Sequence, residues 1–120
     1  FVDNEEMPYL YKQSLALVMP TYLGPTNIPP LEAFSLGTPV LYPDREGLKE
    51  FVSDAALLMD LNNPESMANQ LIKVIQNESE VSICIEKGQL KSQSWTEKDY
   101  WRLIASALAE YEVVMRTWKS

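Results

Sequence analysis

Glu32 and the turn before it are the residues of this sequence whose types and spacing suit chemistry. They lie in the run 20–39, Pro-Thr-Tyr-Leu-Gly-Pro-Thr-Asn-Ile-Pro-Pro-Leu-Glu-Ala-Phe-Ser-Leu-Gly-Thr-Pro. An apolar segment ends at Met19, a loop rich in Gly and Pro follows, and a helix is predicted to start near Asn27. A helix amino terminus offers free backbone N–H groups and partial positive charge, which suits an anion such as phosphate. Pro29 and Pro30 have no N–H, so the donors are chiefly those of Thr26, Asn27 and Ile28. Glu32 lies one turn beyond Ile28 on the same helix face. A carboxylate there repels phosphate but can accept two hydrogen bonds from a neighbouring diol. Such charge-assisted bonds contribute on the order of 1.5–3 kcal/mol each in a site closed from water. Taken singly, a Pro-Thr-Asn turn is more often a helix cap, and one glutamate on a helix is more often solvated.

Other chemistries are excluded by composition. The 120 residues contain no histidine, which removes a histidine base, a Ser-His-Asp triad and a His-ligated zinc from this chain. One cysteine, Cys84, allows no internal disulfide and no multi-Cys metal site. It lies in an apolar stretch and reads as a buried structural thiol. The pairs Glu5/Glu6, Asp44/Glu46 and Glu78/Glu80 fall at loops and helix starts, where acids serve caps and dipoles. Ten basic against 17 acidic residues give a net charge of −7. That balance argues against nucleic acid and anionic lipid as partners. No apolar run approaches the roughly 18 residues of a membrane-spanning helix.

The elements that must position Glu32 are punctuated by proline. All eight prolines lie between Pro8 and Pro64, with Gly24, Gly37 and Gly47 among them. This half therefore holds short elements, and the other half permits long helices. Apolar runs at 15–19, 40–42 and 56–59 do not alternate, which suits strands covered on both faces of a parallel sheet. Helices are predicted over 5–13, 28–36, 47–52, 64–75 and, weakened by Gly88, 79–92. Residues 77–80 read as a loop. For the helix at 64, Asn63 is the cap, Pro64 the first residue, and Leu71, Ile72 and Ile75 the buried face. A final helix starts at Thr96 with Asp99 three positions on, an acidic variant of the capping box. Its apolar face runs Tyr100, Leu103, Ile104, Ala107, Leu108, Tyr111, Met115 and Trp118. Trp95 and Trp101 are expected in the core. Alternating strands and helices indicate an α/β layered, Rossmann-like fold with a short parallel sheet and long C-terminal helices.

Residues 20–39, with Val40-Leu41-Tyr42 and the stretch 47–60 (Gly-Leu-Lys-Glu-Phe-Val-Ser-Asp-Ala-Ala-Leu-Leu-Met-Asp), resemble the donor-binding domain of retaining GT-B glycosyltransferases. The similarity is to the group 1, or family four, enzymes, which include bacterial polysaccharide and mannosyl transferases. It extends through the helix at Pro64 to Ser94-Trp95-Thr96. In that family two glutamates separated by seven residues flank the loop. The second matches Glu32, implying a grip on the ribose of a nucleotide sugar. The first falls at Gly24, which is not acidic, so the contact to the donor sugar lacks its carboxylate. The family's glycine-containing loop is Pro25-Thr26-Asn27 here, which brings Thr26 and Asn27 side chains toward the donor.

The resemblance implies sugar transfer from a nucleotide diphosphate (UDP- or GDP-linked) to a sugar or lipid-linked acceptor hydroxyl, with retained configuration and no bound metal or other cofactor. It implies that residues 1–120 are the second half of the C-terminal domain, with the acceptor domain elsewhere. The first residue, Phe1, likewise reads as the continuation of a longer chain. A cytoplasmic protein, peripheral to the inner membrane at full length, is expected. Alone, the chain is expected to be inactive and to self-associate through its apolar edge strand and final helix. Two rivals remain. A phospho-receiver domain also suits 120 α/β residues, but Pro20-Thr21-Tyr22 stands where its acidic cluster belongs. A binding module without turnover on the same fold is compatible with Gly24.

Overall fold

The computed structural model describes residues 2–23, 28–94 and 96–118, with side chains through 116. Helix α1 (Met7–Gln13) leads into strand β1 (Leu17–Val18), and α2 (Ile28–Leu36) crosses to β2 (Val40–Pro43). A short α3 (Lys49–Val52) and a 3₁₀ turn (Ser53–Ala55) cross to β3 (Leu57–Met59). Three helices follow: α4 (Pro64–Gln76), α5 (Glu78–Ser94) and α6 (Glu97–Trp118).

All pairings are parallel, in the order β1-β2-β3. Leu17 pairs with Val40 and Val18 with Leu41, while Leu41, Tyr42 and Pro43 pair with Leu57, Leu58 and Met59. The regular part of β1 is shorter than the apolar run 15–19, although Met19 N–H still donates to Leu41 O at 3.1 Å. As the unpunctuated apolar runs require, β2 is buried along its whole length. Its side chains alternate between two cores. Val40 and Tyr42 join Ala33, Phe34, Val52, Ala55 and Tyr11 on one face. Leu41 joins Leu57 and Met59 on the other, under Met67, Leu71, Val74 and Cys84.

Helix α4 begins as its sequence dictates, with Asn63 Oδ1 accepting from Glu65 N–H at 3.0 Å and Pro64 in the first turn. Its core-facing residues are Met67, Leu71 and Val74. Ile72 and Ile75, expected inside, are exposed. Helix α5 starts one residue after Asn77, so 77–80 is no loop: Asn77 Oδ1 accepts from Glu80 N–H at 3.3 Å. Helix α5 runs unbroken through Gly88. This residue is buried against the ring of Phe34 in α2, and a Cβ there would meet Phe34 Cδ1 at 2.6 Å.

Thr96 and Asp99 form one half of the expected box at the start of α6: the Asp99 carboxylate accepts from both Thr96 N–H (2.9 Å) and Thr96 Oγ1 (2.6 Å), while the Asp99 N–H donates to Thr96 O (3.0 Å) rather than to the hydroxyl. The two bonds to the carboxylate hold the Asp99 carboxyl below its ordinary range. The periodicity of α6 is right, but its apolar face is not buried. Tyr100, Leu103, Leu108 and Tyr111 are exposed, and so is Trp101, against the expectation of a core position. Periodicity reports that a stripe exists, not that anything lies over it. Trp95 and the side chain of Trp118 lie outside the described residues. None of the described helices is long and apolar enough to cross a membrane.

Candidate functional site

In a parallel sheet the loops beyond the carboxyl ends of the strands face one common edge, and ligands of open α/β sheets bind there. The loop after β1 leaves along this edge toward α2. Gly24, Thr26 and Asn27 lie outside the described residues, as does Pro25. Ile28 is the first residue of α2 and is exposed, with Glu32 exposed one turn on. The loop after β2 reaches the same rim, where the Arg45 guanidinium sits 5.1 Å from the centre of the Tyr22 ring. This contact holds a cation at the rim, a cation–π pair contributing about 0.5–1 kcal/mol at an exposed site. Lys49 is engaged by Asp44 at 3.0 Å.

Glu32 itself has a partner that spacing alone did not reveal. The Tyr11 hydroxyl, 21 residues earlier, donates to Glu32 Oε2 at 2.8 Å. Oε1 has no partner among the described residues. Tyr11 is only 8% exposed. Burial first, and then the bond to the Glu32 carboxylate, push its hydroxyl up to about 12, so it is a donor throughout the physiological range. The Tyr11 backbone is tied as well, because the buried Thr38 Oγ1 donates to Tyr11 O at 2.8 Å.

Both ties come from α2 and its end. Gly37, at φ +75°, turns the chain out of the helix; Thr38 N–H donates to Ala33 O (2.9 Å) and Gly37 N–H to Phe34 O (3.2 Å). This pairing satisfies carbonyls that the last turn leaves open, and glycine adopts the left-handed backbone at little cost. It also aims Thr38 inward at α1. Helix α1 is thus fastened to α2 at both the main chain and the side chain of Tyr11.

Between these helices lies a groove of 370 Å³ lined by Asn4, Met7, Pro8, Tyr11, Glu32, Ser35 and Leu36. A smaller cavity of 160 Å³ continues behind Tyr11 toward Ala16 and Leu17. The groove presents one exposed carboxylate with an open oxygen above an apolar floor, which is an acceptor site for hydroxyl groups. Nucleophilic chemistry is not built here. Cys84 is half-buried on the opposite core, where burial raises its thiol above the ordinary range. The acidic pairs serve local bonds: Asp44 to Lys49, and Glu80 to Asn77 and Lys73.

The chain matches the glycosyl transferases group 1 family over residues 1–91. It belongs to the group 1 glycosyltransferases. The "O-antigen chain mannosyltransferase B" of Escherichia coli is 33% identical over 97 residues, which cover 79% of this chain and 26% of that protein. The chain thus spans about a quarter of the length of this relative. No solved structure matches it. Group 1 membership accords with the three parallel strands and their helices as a partial Rossmann-like domain of the GT-B kind. The matched residues end within α5, so α6, with its uncovered stripe, lies beyond them.

Proposed function

We propose that this glycosyltransferase chain is the donor-binding second half of the C-terminal domain of a retaining enzyme. Residues 1–120 then form one unit whose carboxyl-edge loop and α2 hold a nucleotide sugar. Glu32 binds the ribose diol, and the Thr26, Asn27 and Ile28 amides form part of the phosphate cradle, with Gly24 beside the donor sugar. In the complete protein the bond from the sugar's anomeric carbon to the diphosphate breaks. A new bond to an acceptor hydroxyl forms on the same face, and no metal is required. The E. coli relative's name supports a mannosyl or other hexosyl donor and a polysaccharide acceptor, sugar or lipid-linked. On this reading the full-length enzyme is cytoplasmic and peripheral to the inner membrane. The isolated chain is inactive and self-associates, which sedimentation at micromolar concentration tests; a monodisperse monomer refutes the association.

The observation that carries this reading is Glu32: a carboxylate on the first helix after β1, held at one oxygen by Tyr11 and open at the other. The test is calorimetric titration of the full-length protein with UDP- and GDP-sugars, wild type against Glu32→Gln. The reading requires affinity to fall roughly tenfold or more, about 1.4 kcal/mol. Unchanged binding removes Glu32 from the site. Gly24 favours a second reading, donor binding without turnover, and a sugar-transfer assay on the same protein separates the two.

A further inference from the structure

We propose that Tyr11 is the positioning residue of the donor site, presetting the Glu32 carboxylate and so setting the preference for a ribose diol over a sugar lacking it. The inference rests on the reading of Glu32 as the ribose ligand, and it assigns the work of orientation to a residue in another helix.

A glutamate on an exposed helix face samples many rotamers, and fixing one on binding costs about 0.5–1.5 kcal/mol, which is roughly two- to twelvefold in affinity. At Glu32 the hydrogen bond from Tyr11 removes part of that freedom before any ligand arrives. It engages Oε2 alone, so Oε1 and the second lone pair of Oε2 are left for two hydroxyls. Tyr11 can do this because it is itself immobile. Its ring is buried between α1 and the sheet core, and its carbonyl is held by Thr38 Oγ1, itself 4% exposed.

A neutral donor is also the right chemistry for the task. A lysine or arginine in this place would neutralise the carboxylate and compete with the ligand for it. The phenol holds the acceptor in place and leaves its negative charge intact. Because the hydroxyl does not ionise below the strongly alkaline range, it cannot turn into a repelling anion during the reaction. A tyrosine with only a packing role would have no reason to favour one ligand sugar over another.

That difference defines the experiment. UDP and GDP, each paired with its 2′,3′-dideoxy counterpart, are titrated into the full-length protein as wild type, Tyr11→Phe and Glu32→Gln. The ratio of the two affinities isolates the diol. Glu32→Gln abolishes the preference for the ribonucleotide. Tyr11→Phe lowers it roughly three- to tenfold, through the ribonucleotide alone, with dideoxynucleotide binding unchanged. Thr38→Val keeps the phenol but releases its backbone, and it shifts the ratio in the same direction; it carries the test if Tyr11→Phe does not fold. A ratio that collapses in Glu32→Gln but holds in both other variants overturns the positioning role and leaves the ribose reading standing. Equal weakening of both nucleotide classes by Tyr11→Phe also overturns it, as a purely structural effect. A ratio indifferent to Glu32→Gln, or a wild type that binds none of the four nucleotides, overturns both.

Discussion

Replacing Gly88 by alanine probes the contact that holds α5 against the helix carrying Glu32. The new methyl would stand 2.6 Å from Phe34 Cδ1, 3.0 Å from Cγ and 3.3 Å from Cβ. Ordinary contact begins near 3.4 Å, so the two helices must part by about 0.8 Å at this point. The ring cannot yield instead. Phe34 is 2% exposed and backed by Val40, Tyr42 and Val52. Overpacking of this kind costs about 1–3 kcal/mol, and the better helix propensity of alanine offsets about 1 kcal/mol of it. The net expectation is a loss of about 1 kcal/mol, which lowers the urea midpoint by roughly 0.5 M at a typical slope. Far-UV circular dichroism follows the transition. In a Phe34→Ala background the atoms at 2.6 and 3.0 Å are gone and only Cβ remains, at 3.3 Å, so the same substitution becomes neutral or stabilising. A midpoint equal to or above wild type in the single variant, with unchanged slope, would refute the close-approach argument. So would a penalty that persists without the ring.

Two further outcomes are expected. Ser53, at φ 54° and ψ −129°, holds a left-handed backbone that favours glycine, so Ser53→Gly raises stability by about 1 kcal/mol; a lowered melting temperature contradicts this. The Tyr11 hydroxyl, ordinarily ionising near 10 and pushed up to about 12 in the fold, retains a proton that the unfolded chain gives up. Its contribution is therefore complete below pH 10 and is lost as pH rises toward 12, with a slope of at most about 1.4 kcal/mol per pH unit. Urea midpoints on either side of pH 10 fall less steeply in Tyr11→Phe, and identical slopes in the two proteins would exclude the linkage.

Much of the fold is legible in the residues because local rules and tertiary context agree. Proline and glycine mark the short elements, the non-alternating runs mark the buried strands, and Asn63-Pro64 and Thr96-Asp99 mark helix starts by the groups they offer. The failures share one cause. Periodicity gives a stripe's spacing but not its neighbour: it puts Leu71, Ile72 and Ile75 on the buried face of α4, whereas Met67, Leu71 and Val74 pack on the core and the two isoleucines are exposed. Trp101, expected in the core, is likewise exposed. Helix propensity marks Gly88 as a weak point, whereas the close approach of Phe34 decides its identity. At the site, Glu32 stands out through its distance from a Pro-rich helix start. Tyr11 does not, since its pairing spans 21 residues and depends on how α1 packs against α2. A tyrosine three residues after Pro8 in a mostly exposed helix carries no mark of its partner.

The turn out of α2 has an engineering consequence. Only residues 37–39 separate α2 from β2, and two of them are fixed by bonds back to Ala33 and Phe34. The strand they feed is hydrogen-bonded on both sides and has no room to slide. An amino acid inserted there would rotate or push out the whole of α2, carrying Glu32 away from Tyr11. A tag or sensor loop belongs instead in the exposed 44–47 segment, where a side chain at Gly47 would meet nothing within 4 Å. The fold therefore tolerates added length at the turn after β2 and refuses it at the turn before, four residues away along the same strand.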